Sequence, residues 1–325
     1  MSTAAPELGA GPTAAGAPAG GVLGRSPRQL FWERLRRDRA AMGGLVLVAL
    51  LALIAILAGV ISRNLSGHGP NDLFQFEMTD EFGLPRGPNG DFYFGADNVG
   101  RDLFVRVLYG TRTALLVGVV ATGASVIVGT FLGLLAGYYG GWIDSIVSRV
   151  VDVMLSIPAL LLALGLVAAC GTTEGGCLGG LLEPGLPLVI VIVVLFGWPY
   201  IARIVRGQTI SLREEQFVEA SRSLGAGNLR IMLREILPNL LGPIVVYATL
   251  LIPATILFEA ALSFLGLGVP QDTPSWGQML AGASSIFTDA WWFMVFPGVF
   301  LLTTTLAFNL LGDGIRDALD PRTRV

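Results

Sequence analysis

The sequence contains no lysine: all 21 of its basic residues are arginine. A P-loop sets a lysine against the phosphates of its nucleotide, so this chain is not itself a P-loop ATPase. Schiff-base chemistry on a lysine amine is excluded by the same absence. A single histidine, His68, cannot form a His cluster for a metal or a proton relay. Two cysteines, Cys170 and Cys177, allow one disulfide at most. Charge is scarce too: 14 % of the 325 residues carry one, against about 25 % in a soluble domain.

What fills the chain is apolar. Hydrophobic residues make up 53 % of it and the mean hydropathy is +0.68. Apolar runs cover 43–62, 114–137, 147–169, 187–205, 239–262 and 291–311, each near the roughly 20 residues that cross a bilayer as a helix. The expected fold is an all-α membrane protein with six transmembrane helices. The net charge of −3 names no partner, and no nucleic-acid partner is expected. Its distribution is more informative. Six spans put both termini on one side. Sixteen of the 21 arginines, among them Arg34, Arg36, Arg37, Arg203, Arg206, Arg213 and Arg316, fall on that side. Arg63, Arg86, Arg101, Arg106 and Arg112 fall on the other. By the positive-inside rule the termini face the cytoplasm of a cell-membrane protein.

Residues 1–24 are mostly Ala, Gly, Pro, Ser and Thr. They cannot bury a core and are expected to be a disordered tail, not a signal peptide. Residues 25–42 form a cytoplasmic amphipathic segment, with Leu30, Phe31 and Trp32 expected to face the headgroups. The membrane domain then covers 43–325, with outer loops at 63–113 and 263–290 and a cytoplasmic segment at 206–238. Gly129, Gly133 and Gly137 repeat at the spacing that lets helices approach closely, within the chain or against a partner. Pro158, Pro199, Pro243 and Pro253 mark expected kinks. Asp97 is a plausible N-cap before Val99, Leu103, Val107 and Leu108 on one helical face. Cys170 and Cys177 bracket a Gly-rich outer loop and read equally as a disulfide or as two free thiols.

Two intramembrane carboxylates stand out, Asp152 near the inner end of the third span and Glu259 near the outer end of the fifth. Such groups are costly in lipid. They are either proton-relay groups of a secondary transporter or structural partners of an arginine such as Arg149 or of a helix terminus. No inverted repeat is evident, which argues against a secondary transporter. An intramembrane enzyme would need a nucleophile and a base in the spans. Ser156 shares a helix face with Asp152, but no His or Lys is there to activate it, and Ser156-Ile157-Pro158 reads more simply as a kink. No catalytic residue, metal site or cofactor site is assigned.

The stretch EQFVEASRSLGAGNLRIMLREILP, Glu215 to Pro238, is the most structured of the polar segments. Phe217, Ala220, Ser221 and Leu224 recur at i, i+3, i+4 and i+7, and so do Leu229, Met232, Leu233 and Ile236. Gly225 suits a left-handed helix end and Asn228 an N-cap. Pro238 closes the unit. The expectation is a helix–turn–helix across the inner face, whose apolar stripes must bury against something.

Glu219-Ala220-Ser221, then Gly225, then Ile236-Leu237-Pro238 resembles the EAA motif of ATP-binding-cassette importer permeases. Ser221 stands where the pattern has a second Ala, and Glu235 where it has Ile. FGADNVGRDLFVRVLYGTRTAL, DVMLSIPALLLAL, FEAALSFLGLGVPQDTPSWGQML and LGDGIRDALDPR resemble the second permease subunit of dipeptide and oligopeptide importers, from about residue 30 onward. The resemblance implies a type I importer permease fold and a coupling helix shaped by Glu219, Ala220, Ser221, Leu224, Gly225, Leu229 and Pro238. It implies a homologous second permease, two ATPase subunits that hold ATP and Mg, and an extracytoplasmic binding protein, all working beside membrane lipid. Peptide is the implied cargo; related importers carry nickel chelates or glutathione.

Overall fold

The computed structural model describes residues 27–171 and 185–319. Among them the chain is helical, with no β-structure beyond two isolated bridges, Thr79 with Pro85 and Ala96 with Asp102. Short α1 (Pro27–Arg37) leads into α2 (Arg39–Leu65), with Asp38 between them. Asp38 Oδ1 accepts the Ala40 and Ala41 amides at 2.8 and 3.1 Å, satisfying two of the donors that a helix start leaves open. The single turn α3 (Gln75–Met78) lies in the first long loop. Then come α4 (Leu103–Tyr139), α5 (Gly141–Ser156), α6 (Ala159–Gly171) and α7 (Leu186–Leu212). Short α8 (Gln216–Ser223) precedes α9 (Asn228–Phe264), and α10 (Trp276–Ala283) precedes α11 (Trp291–Leu319).

Among the described residues five helices, α2, α4, α7, α9 and α11, are long and apolar enough to cross a bilayer. The third expected span is different. It is two helices, α5 and α6, bent by 88° where Ile157-Pro158 interrupts the ladder. Proline removes a hydrogen bond and crowds the preceding turn, and the residue before it avoids the α conformation. Ile157 is extended, with φ −90° and ψ 130°. Pro199, Pro243 and Pro253 sit inside helices that continue past them.

The helices outrun the apolar runs. Asp102, not Asp97, caps α4: its Oδ1 accepts the Phe104 amide at 2.9 Å. The second span therefore begins at Leu103 rather than near 114. Asp97 is buried instead and holds the preceding turn, accepting the amides of Val99 and Arg101 at 3.0 and 2.9 Å. Within α4, Val117–Ala121 form a π turn.

The glycine row faces α7, within the chain. A Cβ on Gly129, Gly133 or Gly137 would lie 2.6 Å from the Trp198 carbonyl, the Ala202 carbonyl and Thr209 Cβ respectively. Only glycine permits this approach, and α4 and α7 make the most extensive helix contact in the fold. The largest core cluster joins Leu103 and Val107 of α4, Ile256 of α9, Trp276 and Met279 of α10, and Phe293 and Phe308 of α11.

Helix α1 does not simply lie on a surface. Leu35 is buried with Ala41 and Ala318, and Phe31 packs against the same cluster, which ties α1 to the end of α11. Leu30 and Trp32 alone of the expected trio remain exposed.

Candidate coupling site

The segment 206–238 is not two helices lying across one face. Its first part continues α7 to Leu212, and its last part is the start of α9. The free-standing element is α8. Its end is a complete Schellman arrangement: the Ala226 amide donates to the Ser221 carbonyl and the Gly225 amide to the Arg222 carbonyl, both at 3.0 Å. Gly225 carries φ +83°, the left-handed conformation expected for it. A Cβ at that point would meet nothing within 4 Å, so the demand for glycine is set by backbone conformation rather than by space.

One residue anchors α8. Val218 is fully buried against Ile231, Met232 and Ile236, in a cluster with Leu134 and Tyr138 of α4 and Ile201 and Val205 of α7. The stripe expected from the sequence turns the other way. Phe217 is 38 % and Leu224 89 % exposed. Glu219, Ala220 and Gly225 are exposed beside them, and Ser221 is half-buried. The second stripe divides: Met232 and Ile236 are buried, whereas Leu233 and Leu229 are exposed, the latter by 66 %.

Asn228 is not an N-cap. Gly227 holds that position, and Asn228 Oδ1 accepts the Tyr138 hydroxyl at 2.9 Å. Pro238 does not end a unit either. It lies in the first turn after a π turn at Ile231–Ile236, and the helix runs on through it. Proline offers no N–H to the carbonyl four residues back, and wider turns of this kind absorb such a defect. Asn239 Nδ2 donates to the Glu235 carbonyl at 2.6 Å in the same turn.

Sequence reasoning missed the ties around α8. Arg213 Nη1 donates to the Gly137 and Tyr138 carbonyls at 3.1 and 3.4 Å, closing the end of α4 onto α7. Asp144 of α5 binds Arg206 of α7 through both oxygens. These arginines had served only to orient the chain. Asp152 pairs with Arg203 at 2.5 Å, not with Arg149. Ser156 donates to the Val153 carbonyl at 2.8 Å.

The opposite end, where α10 lies, is closed by a polar hub. Arg106, 1 % exposed, donates from Nη1 to the Pro70 carbonyl and Asn71 Oδ1 at 2.9 and 3.0 Å. Its Nη2 donates to the Gln271 carbonyl and Gln278 Oε1 at 3.2 and 3.3 Å. Asp97 faces Arg106 and binds Arg101 Nε at 2.7 Å. His68 Nδ1 lies 2.8 Å from Asp102 Oδ2, with its ring against Phe74 and Phe92. Burial raises the Asp102 carboxyl above its ordinary range, against the opposing pull of His68 and the Val105 and Phe104 amides. Glu259, 2 % exposed, has serines rather than an arginine as partners: Ser263 and Ser275 donate to Oε1 at 2.7 and 2.9 Å. Cys170 is buried at the end of α6. Cys177, its partner in the disulfide reading, lies outside the described residues. No cluster of His, Cys, Asp and Glu able to hold a metal occurs among the described residues.

Residues 129–325 match the family described as the binding-protein-dependent transport system inner membrane component. The chain belongs to that family. Residues 26–78 of the permease also match the N-terminal transmembrane domain of oligopeptide transport permease C. The permease is 39 % identical to the dipeptide transport system permease protein DppC of Alkalihalophilus pseudofirmus, over 92 % of this chain and 91 % of that one. It is 41 % identical to the glutathione transport system permease protein GsiD of Escherichia coli O157:H7, over 92 % of each. Among solved structures, an inward-facing conformation of the MetNI methionine transporter superposes with a TM-score of 0.53. That match covers 66 % of this chain and 96 % of the other at 24 % identity, and it shows the type I permease fold. The permease is a multi-pass inner-membrane transport component.

Proposed function

We propose that this permease is the non-catalytic membrane subunit of an ATP-driven importer of dipeptides and oligopeptides. The observation that carries the reading is the exposed face of α8. Phe217 and the C-cap residue Leu224 project from a helix fixed from behind by Val218 and ended by Gly225, and Leu229 is exposed next to it in the first turn of α9. An apolar row held outward on so rigid a mount fits the groove of another protein, here a separate ATPase subunit. ATP and Mg belong to two such subunits. A homologous permease completes the membrane pathway, and a binding protein delivers cargo at the α10 end. The arginine distribution supports α8 and both termini in the cytoplasm.

Peptide as cargo rests on the dipeptide permeases among the relatives. Glutathione is the second reading, favoured by the relatives at 41 % identity; it is itself a small peptide. The test is purification of the tagged chain in mild detergent, then reconstitution of whatever co-purifies. Recovery of P-loop ATPases and a second permease, with ATP-dependent uptake of labelled dipeptide, is expected. A chain that purifies alone overturns the reading. Uptake of glutathione and no dipeptide selects the second cargo.

A further inference from the structure

Helices α5 and α7 are joined by charge as well as by packing. Asp144, Ser148 and Asp152 sit at i, i+4 and i+8 of α5, on one face. Arg203 and Arg206 meet them from α7. Arg206 Nη2 donates to Asp144 Oδ2 at 2.7 Å while Nε donates to Oδ1, and Ser148 adds its hydroxyl at 3.3 Å. Arg203 Nη2 donates to Asp152 at 2.5 Å. The apolar contact between the helices is Val151 on Trp198 and Ala202. A cavity of about 290 Å³ opens beside the pairs, lined by Val147, Val151 and Ala202 among others.

Apolar surfaces resist separation but permit sliding. A forked guanidinium–carboxylate pair fixes register, because both hydrogen bonds fail together when the helices slip. The pairs lie where the apolar run of α7 ends; Asp144–Arg206 is partly buried, whereas the Asp152 and Arg203 side chains are more than half exposed. What each helix leads to gives the pairs a direction. The end of α7 passes through Arg213–Glu215 into α8, and Arg213 is itself fastened to the end of α4. The end of α5 passes through Ile157-Pro158 into the 88° bend and α6. A displacement of α8 therefore reaches α7 directly, and passes from α7 to the two sides of the bend by the charged pairs and apolar packing on α5 and by apolar packing on α6.

We infer that the forked Asp144–Arg206 pair, with the single Asp152–Arg203 bond beside it, is the positioning link that carries motion of α8 into the bent α5–α6 segment. The inference rests on the importer reading. These residues act through the helices they join. Their loss lowers the cargo moved per ATP hydrolysed while the ATPases, on other chains, keep turning over.

The test uses the complete transporter in proteoliposomes, with dipeptide uptake and ATP hydrolysis measured together. Asp144→Asn and Arg206→Gln each lower uptake per ATP by about tenfold, within the range of coupling between linked sites. The exchanged pair, Asp144→Arg with Arg206→Asp, recovers most of it. Unchanged uptake per ATP in the single variants, or no recovery in the exchanged pair, overturns the link. A merely structural role would alter assembly and not the ratio.

Should the variants fail to assemble, spin labels in the otherwise unaltered interface decide. Labels at Ile146→Cys on α5 and Arg222→Cys on α8, with Cys170→Ser and Cys177→Ser, keep their separation when ATP is trapped. Labels at Ile146→Cys and Leu161→Cys, across the bend, change theirs. A first distance that shifts as much as the second overturns the link. Wild-type vesicles that take up no peptide overturn the importer reading instead, and the spin-label comparison stands apart from that result.

Discussion

At the scale of single residues, the proposed coupling site turns on Gly225. Its φ of +83° is open to glycine and, at some cost, to asparagine, whereas a β-branched residue is strained there. Gly225→Val is expected to insert normally yet lose most ATP-driven uptake, and Gly225→Asn to retain most of it. Uptake by vesicles matched for permease content checks both; normal uptake by the valine variant removes Gly225 from the coupling site. Asp102 gives a pH prediction. Its native carboxyl is raised by burial, so the folded state favours the protonated form. The stability it contributes is complete in acid and is lost as pH rises through the native value. Asn keeps the cap and removes the buried charge. Asp102→Asn should therefore be the more stable protein at neutral pH, with the advantage shrinking as pH falls. Thermal unfolding of both proteins in detergent between neutral and acid pH measures this; a variant whose disadvantage is largest at neutral pH contradicts it. Gly225 was legible in the sequence because few residues can end a helix as it does. Asn228 was misread because a hydrogen bond from Tyr138, 90 positions away, determines its role.

At the scale of helices, the α4–α7 contact is the rigid seam. Gly133→Leu forces the pair apart at the Ala202 carbonyl and should cost about 1–3 kcal/mol or more. Gly123→Leu on the same helix, where a Cβ meets nothing within 4 Å, is the control and should cost far less. A lowered thermal midpoint for the first and not the second is the expected result; equal midpoints would mean the seam is loose. Six apolar runs and the kink at Pro158 were readable from composition and spacing. The length of the helices was not. The ends of α4 and α9 are amphipathic and cap-determined, so hydropathy stops short of them. The 88° bend was not readable either, since Pro158 fixes where a break occurs and neighbouring helices fix its angle. Nor was Asp144–Arg206, because it joins residues 62 apart on two helices whose packing no local spacing reveals.

At the scale of the whole molecule, the two ends differ in construction. The α10 end is stapled by Arg106, Asp97 and Asp102 into loops from three parts of the chain. The α8 end presents exposed apolar side chains. The orientation proposed from the arginines can be checked directly. In a Cys170→Ser, Cys177→Ser background, Phe82→Cys should react with an impermeant maleimide on intact cells and Ser223→Cys only in inverted vesicles. The reverse pattern would turn the molecule over and remove the ATPase from α8.

The π turn at Val117–Ala121 bears on the manufacture of the helix as well as its shape. A π turn holds one residue more than an α turn, so the two halves of α4 are out of phase by about 100° relative to an unbroken helix. That offset lets one half present Leu103 and Val107 to Trp276 while the other presents its glycines to α7. Excising one residue there would leave a perfectly regular helix whose two faces point at the wrong neighbours.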